Sequence, residues 1–242
     1  MTEALVKVLA DALAALAPAH ECDLRVLDRA VGREDKLLDA LIGDALPSGY
    51  LRIWRQAPCI TVPHRFGSHP EFRRAAALSA DEGRPLALRS SGGTAVALHA
   101  GVLNVSLFGL ERKGAAPLDP SYRALIGLMS AALATLSIAV DAGPVDGACC
   151  DGRFNLRWRG RKLAGTAAAV RSRRGGVGWL AHASLVVDAD MDADIEAVAR
   201  VESLLGIVGA YRGEAHATVA QALEAQGNAG TDPAMRRESV PA

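Results

Sequence analysis

A single α+β domain, with mixed but largely antiparallel sheets flanked by helices, is the fold this sequence predicts, and three observations carry the prediction. Apolar residues recur at helical spacing near both ends of the chain. Between those ends lie short runs of Val, Ile, Leu and Trp broken by Gly-, Ser- and Pro-containing turns, the pattern of strands. Three alternating runs also follow one another between residues 154 and 185 with short turns between them, as consecutive antiparallel strands do. With 242 residues, half of them hydrophobic, the chain is long enough for one large core.

Taken in order, Leu5, Val8, Leu9, Ala12, Leu13 and Leu16 form one apolar stripe, so residues 3–16 read as an amphipathic helix that Pro18 ends. Residues 1–20 are therefore expected to be an N-terminal helix, 21–225 the main domain and 226–242 a disordered tail lacking apolar periodicity. A second helix is expected over 36–46. Residues 50–54 and 59–62 suit two strands joined by a turn at Gln56-Ala57-Pro58. Residues 70–82 read as helix, and 86–108 as strands around a Ser90-Ser91-Gly92-Gly93 turn. Asp119-Pro120 opens a further helix with a capping side chain and a proline at the first turn. Tyr122, Leu125, Ile126, Met129, Leu133 and Leu136 give that helix one apolar face, and Met129 is a packing residue. Phe154, Leu156 and Trp158 share one side of a strand, Arg159-Gly160-Arg161 turns the chain, and 163–170 and 177–185 return as strands. Closing helices are expected over 192–205 and 214–223.

Charge narrows the functional classes. Lys plus Arg equal Asp plus Glu, 27 of each, so no global field draws the chain to nucleic acid or an anionic membrane. The one dense basic run, Arg171, Arg173 and Arg174, reads as a solvated turn or, alternatively, a docking patch for an acidic partner. Glu3, Lys7 and Asp11 interrupt the first helix, unlike a secretory signal, and no segment has the length of a membrane span. Cys22, Cys59, Cys149 and Cys150 show no CxxC or Cys/His ligand spacing, which predicts a cytoplasmic chain with reduced thiols and neither disulfide framework nor structural zinc. The adjacent pair Cys149-Cys150 is either inert or contains a nucleophile. His64 and His69 flank a turn and read as solvated loop residues.

Arg89-Ser90-Ser91-Gly92-Gly93-Thr94 is a polar glycine turn whose backbone N–H groups can approach a ligand closely, with side-chain donors for a carbonyl or phosphate. Read on to Ser106, through Gly101-Val102-Leu103-Asn104, the stretch resembles the glycine-rich signature of the lipoate-protein ligase and lipoyl/octanoyl transferase family. Gly160-Arg161-Lys162-Leu163-Ala164-Gly165 is similar to that family's lysine motif. Arg52-Ile53-Trp54 and the helix from Tyr122 extend the resemblance over about residues 35–205. The Arg-x-Ser-Gly-Gly spacing, Gly-Val-Leu-Asn and Cys150-Asp151-Gly152 are closest to the octanoyl-[glycine-cleavage H protein]:protein N-octanoyltransferase branch.

The resemblance implies a class II biotin/lipoate ligase-like catalytic domain. In it, Cys150 accepts the acyl group, Lys162 holds the acyl carbonyl, and Arg89, Ser90, Ser91, Gly92, Gly93, Asn104 and Gly165 bind substrate. It further implies that the octanoyl or lipoyl group is the transferred substrate and that no cofactor or metal is required. Lipoyl-domain proteins are the implied partners, namely glycine-cleavage H protein and E2 subunits of 2-oxoacid dehydrogenases. Three departures from the pattern stand out. Thr94 follows Gly93 where the ligases have a third glycine, the histidine is His99, one residue later than usual, and Asn155 replaces an aspartate common before the lysine. The last argues against magnesium and nucleotide binding there.

The two proposed chemical groups suit each other. Moving an acyl group between lysine amides without ATP needs a covalent waypoint, which a thiolate provides because it both attacks and leaves readily. An ammonium beside the thioester oxygen stabilises the oxyanion and favours the thiolate. The alternating Ala, Val and Leu of residues 95–103 would line a slot for the hydrocarbon chain. Ten extended residues span about 33 Å, so the cysteine loop has to fold back for Cys150 to meet Lys162. Cys149 competes as nucleophile. An ATP-dependent lipoate-protein ligase and a non-catalytic lipoyl-domain binding relative are the alternative functions.

Overall fold

The computed structural model describes residues 1–17, 19–27, 31, 33–112, 118–150, 152–174 and 176–229. The order of elements is α1 (Thr2–Leu16), β1 (His20–Leu27), α2 (Arg33–Ile42), β2 (Tyr50–Gln56), β3 (Cys59–Pro63), α3 (Phe72–Asp81), β4 (Leu86–Arg89), β5 (Val96–Leu98), β6 (Val102–Glu111) and α4 (Leu118–Ala134). Then come β7 (Asp141–Ala142), β8 (Leu156–Trp158), β9 (Arg161–Arg173), β10 (Gly176–Val186), α5 (Met191–Leu204) and α6 (Val219–Ala229). Among the described residues, no helix is long and apolar enough to cross a membrane.

Seven strands form a large sheet in the order β1-β2-β6-β10-β9-β8-β7, and three form a small one in the order β4-β3-β5. The β1–β2 and β3–β4 pairs are parallel and all others antiparallel, so both sheets are mixed and the α+β expectation holds. Period-two alternation divides the large sheet into two faces. Leu51, Ile53, Leu103, Val105, Ala181, Ala183 and Leu185 point to one side and pack with Leu5, Leu9 and Leu13 of α1 and Leu125, Met129 and Leu133 of α4. On the other side, Leu38, Leu41 and Ile42 of α2 cover Phe108 and Leu180. Trp54 and Val102 meet Cys59 and Leu98 of the small sheet. A separate core joins that small sheet, through Ile60 and Val62, to Ala197, Val198 and Val201 of α5.

The three-strand run from β8 to β10 lies where the alternation predicts it. Its first turn is a two-residue loop between Trp158 and Arg161, with φ of 50° at Arg159 and 75° at Gly160, the left-handed pair that a type I′ hairpin requires. Other expectations shift. Residues 50–54 and 59–62 are strands, but β2 and β3 belong to different sheets and are not a hairpin. Strand β1 was not predicted, because its polar His20, Glu21, Asp23 and Arg25 suit an edge that is exposed on one flank. Helix α2 lies about one turn before the expected 36–46, drawn there by burial of Glu34 against Arg52. Helix α6 starts at Val219, after a short 3-10 turn over Gly213–Ala215, and runs past Gln226. Residues 230–242 of the expected tail lie outside the described residues, as do Pro18 and Asp151. The basic run lies against α2, where Arg171 pairs with Asp35 at 2.8 Å and with Asp39 at 2.7 Å, and Arg173 reaches Asp39 at 3.8 Å.

Candidate active site

Between the second face of the large sheet and the wall made by β5 and α5 lies a slot of about 120 Å³. The two walls differ in kind. Val96, Leu98, Ile195 and Val198 make the upper one apolar, whereas Asn104, His182, Ser184 and Lys162 put polar groups on the floor. On the side of α2, Glu34 accepts a 2.6 Å hydrogen bond from the fully buried Arg52. Arg89, Ser90, Ser91, Gly92, Asn104, Cys150, Lys162 and Gly165 all line this slot, and Cys149 lines it too. Gly93 stands against the Cys150 thiol, since a Cβ on it would lie 3.0 Å from Sγ. Every residue singled out for binding or chemistry therefore converges on one place.

The cysteine loop does fold back. It leaves β7 and rejoins the sheet at β8, with its base closed by the Gly143 N–H donating to Asn155 O at 3.0 Å. Lys162, on β9, extends its amine to the loop and donates to the carbonyl oxygens of both Cys149 and Cys150, the latter at 3.3 Å. Asn155, almost completely buried, donates from Nδ2 to the same Cys150 carbonyl at 3.0 Å. These bonds hold Cys150 at φ 53°, a left-handed conformation that costs a non-glycine residue on the order of 1 kcal/mol or more and persists only when surroundings fix it. Gly165 leaves room for the lysine, because a Cβ there would sit 3.2 Å from Lys162 Cε and Nζ.

The two cysteines are not equivalent. Burial pushes the Cys149 thiol up to about 12, with the nearby Lys162 charge opposing it, so Cys149 is a thiol rather than a thiolate near neutral pH. Its backbone N–H donates to His216 Nε2 at 3.1 Å, and His216 Nδ1 faces the Arg212 carbonyl at 3.0 Å. That pattern fixes the neutral tautomer protonated on Nδ1, consistent with burial lowering the His216 pKa. Cys59 is buried in another core and Cys22 lies on the edge strand β1.

Arg89 lines the slot with its terminal N–H groups donating within the protein. Nη1 donates to Thr61 O and Oγ1, and Nη2 to the carbonyls of Gly92 and Thr94, so its terminal N–H groups hold the glycine loop itself. Burial pulls its pKa down to about 10, which still leaves it charged. Ser91 shares a 2.6 Å hydrogen bond with His182 Nε2. This pair is not a nucleophile and base, because burial, and then the Arg89 charge, push His182 down to about 3. Asn104 accepts from Ser184 at 2.9 Å, while its Nδ2 is buried and has no partner among the described residues.

Outside the slot, His99 donates from Nε2 to Asp194 at 2.9 Å and accepts the Gly101 N–H on Nδ1. It ties α5 to the small sheet. His64 is exposed, and His69 caps the Glu71 N–H. Sequence reasoning missed His182, Ser184, His216, Glu202 and Arg65. The first two are polar residues on a strand covered on both faces, a detectable signal. Glu202 and His216 fall in segments read as closing helices, where one polar residue looks like part of a solvated face, and Arg65 sits in a short 3-10 turn without periodicity.

Comparison with known proteins adds to this geometry. The family model described as the lipoyl protein ligase A/B catalytic domain matches residues 29–211. The chain belongs to that family. As a member of the lipoyl protein ligase A/B family it is similar to octanoyl-[GcvH]:protein N-octanoyltransferase of Geobacillus kaustophilus, 33% identical over 143 residues that cover 59% of this chain and 50% of that protein. The protein of the same name from Exiguobacterium sibiricum is 42% identical over 90 residues, covering 37% of this chain and 32% of that one. This chain thus spans about half the length, or less, of these two relatives. Among solved structures, a Thermoplasma acidophilum protein described as a lipoate protein ligase with bound lipoic acid superposes with TM-score 0.54 at 18% identity, covering 88% of this chain and 94% of that one. A lipoate-protein ligase A bound with ATP gives TM-score 0.54 at 18% identity, over 87% of this chain and 93% of that one. At such identities the likeness concerns the fold, which is the ligase-like catalytic fold the sequence predicted.

Proposed function

We propose that this chain is an acyltransferase that carries an octanoyl or lipoyl group as a thioester on Cys150 and delivers it to a lysine of a lipoyl-domain protein. The observation that carries the reading is the meeting of one uncommitted thiol, the Lys162 amine and the glycine loop at a slot with an apolar wall. The names of the relatives agree with it. In the first step the Cys150 sulfur bonds to the acyl carbon of an acyl-lysine, and the C–N bond breaks. The departing amine takes the proton that the thiol has lost. In the second, the acceptor lysine amine attacks the thioester, the C–S bond breaks, and the proton released by the amine returns to sulfur.

Lys162 supports both steps by moving from the Cys149 and Cys150 carbonyls towards the developing oxyanion. Cys149, held as a neutral thiol by burial, supports the choice of Cys150 as nucleophile. No cofactor is required in this scheme. Glycine-cleavage H protein and the E2 subunits of 2-oxoacid dehydrogenases are the proposed partners, in the cytoplasm, where the thiol stays reduced.

The test is acyl transfer from octanoylated H protein to an apo lipoyl domain without ATP. The expected result is transfer by the wild-type chain and its loss in Cys150→Ala. Lipoylation that needs ATP and survives replacement of both Cys149 and Cys150 would establish a ligase instead. Tight partner binding without transfer under either condition would establish a non-catalytic relative.

A further inference from the structure

The glycine loop is gripped by two guanidinium groups, and only one of them belongs to the glycine-rich signature. Arg89 Nη2 donates to the carbonyls of Gly92 at 2.9 Å and Thr94 at 2.6 Å. The carbonyl between them, that of Gly93, accepts at 2.5 Å from Nη2 of Arg65, which lies in the short 3-10 turn His64–Ser68 after β3. Three consecutive carbonyls are therefore held by cations. Because each peptide is planar and trans, the N–H that follows each carbonyl points the opposite way. The third of these, Ala95 N–H, donates to the buried Glu202 at 2.8 Å. The first two, on Gly93 and Thr94, meet no acceptor among the described residues.

The Cys150 sulfur rests on the same turn. A Cβ built on Gly93, whose φ is 96°, would lie 3.0 Å from Cys150 Sγ and 3.2 Å from Arg89 Nη2. Arg65 is not a loose surface cation either, since its guanidinium stacks 4.7 Å from the ring centroid of Phe66, which packs on the core between the small sheet and α5.

We propose that Arg65 is a positioning residue that, together with Arg89, sets the peptide planes of Gly93 and Thr94 so that their N–H groups receive the acyl oxygen when the Cys150 sulfur attacks. This rests on the acyl-thioester reading above. As the sulfur–carbon bond forms, the carbonyl electron pair moves to oxygen. That oxygen then needs donors already in place, because turning peptides during the reaction would forfeit their benefit. Arg65 touches neither sulfur nor acyl group and acts through the Gly93 carbonyl alone.

The test uses the full chain and p-nitrophenyl octanoate, whose acylation of Cys150 releases nitrophenol and reports the first step alone. Arg65→Gln is expected to lower the maximal acylation rate by about tenfold, a fraction of what loss of a direct oxyanion donor costs. The half-saturation concentration should stay within about twofold and thermal unfolding should be unchanged. Arg65→Lys, which retains a cationic donor, should recover part of the rate, and Arg74→Gln on the exposed face of α3 should have none of these effects. A wild-type rate in Arg65→Gln, or a raised half-saturation concentration at an unchanged rate, would overturn the role assigned to Arg65 while leaving the thioester reading standing. If the wild-type chain acquires no acyl group on Cys150, that reading fails and this role falls with it.

Discussion

The two faces of the large sheet use the same strands to opposite ends. On the face toward α1 and α4, Leu51 and Ile53 of β2, Leu103 and Val105 of β6, and Ala181, Ala183 and Leu185 of β10 are buried aliphatic residues or alanines. One residue along the same strands, the other face holds Asn104, His182 and Ser184 beneath the slot. A fold can thus concentrate its stabilising burial on one side of a sheet, at about 25 cal/mol per Å² of apolar surface, and tolerate polar groups on the other. The comparison predicts that substitutions on the helix-covered face alter stability at constant chemistry, whereas those at the slot do the reverse.

The largest effect is expected at the cysteine loop. Cys150→Ala should lower acyl transfer by about a thousandfold or more with unfolding nearly unchanged, while Cys149→Ala should keep most activity. Lys162→Met should cost about a hundredfold to a thousandfold in the rate at saturating substrate, as loss of an oxyanion-stabilising group does. On the helix-covered face, Leu133→Ala should reduce the free energy of denaturant unfolding by about 2–5 kcal/mol and leave the turnover of the folded fraction intact. A Leu133→Ala variant of native stability and impaired turnover would break the comparison.

Acid offers a sharper probe, because His182 belongs to the slot yet influences stability. Its folded pKa is depressed to about 3, so the unfolded chain binds the proton that the folded chain refuses. The stability this group contributes is present above its unfolded pKa of about 6.5 and is lost as pH falls from there towards 3, by about 2 kcal/mol between pH 6.5 and 5. Denaturant unfolding of His182→Gln should show a flatter dependence over that interval. The smallest effect concerns Asn155→Asp, which replaces the donor to the Cys150 carbonyl with an acceptor. About tenfold slower acylation is expected, with Cys150 less firmly held at positive φ.

Much of this arrangement was legible in the sequence, for identifiable reasons. The β8–β10 meander follows from strict alternation and from an Arg-Gly turn that admits left-handed backbone. The nine residues named for the site come together, because motif resemblance records spacing that folding has to satisfy. The assignment of β2 and β3 to separate sheets was not legible, since a short break between two strands looks the same whether the chain reverses or crosses to another layer. Nor were the partners of Arg89 and Asn155. Arg89 reads in the sequence as a donor for a ligand and Asn155 as a replacement for an aspartate that argues against magnesium there, and neither reading says that their hydrogen bonds run to carbonyls of the site's own loops. A polar residue near a glycine turn announces that a donor is needed, and only the three-dimensional path of the loop says by whom.

The central claim is that one sulfur of the adjacent pair holds the acyl group. Intact-mass and peptide mass spectrometry after brief incubation with octanoylated H protein tests it most directly. The account predicts a single octanoyl adduct on Cys150 in the wild-type chain and in Cys149→Ala, discharged by an apo lipoyl domain. The absence of any adduct, or an adduct that persists in Cys150→Ala, would contradict it.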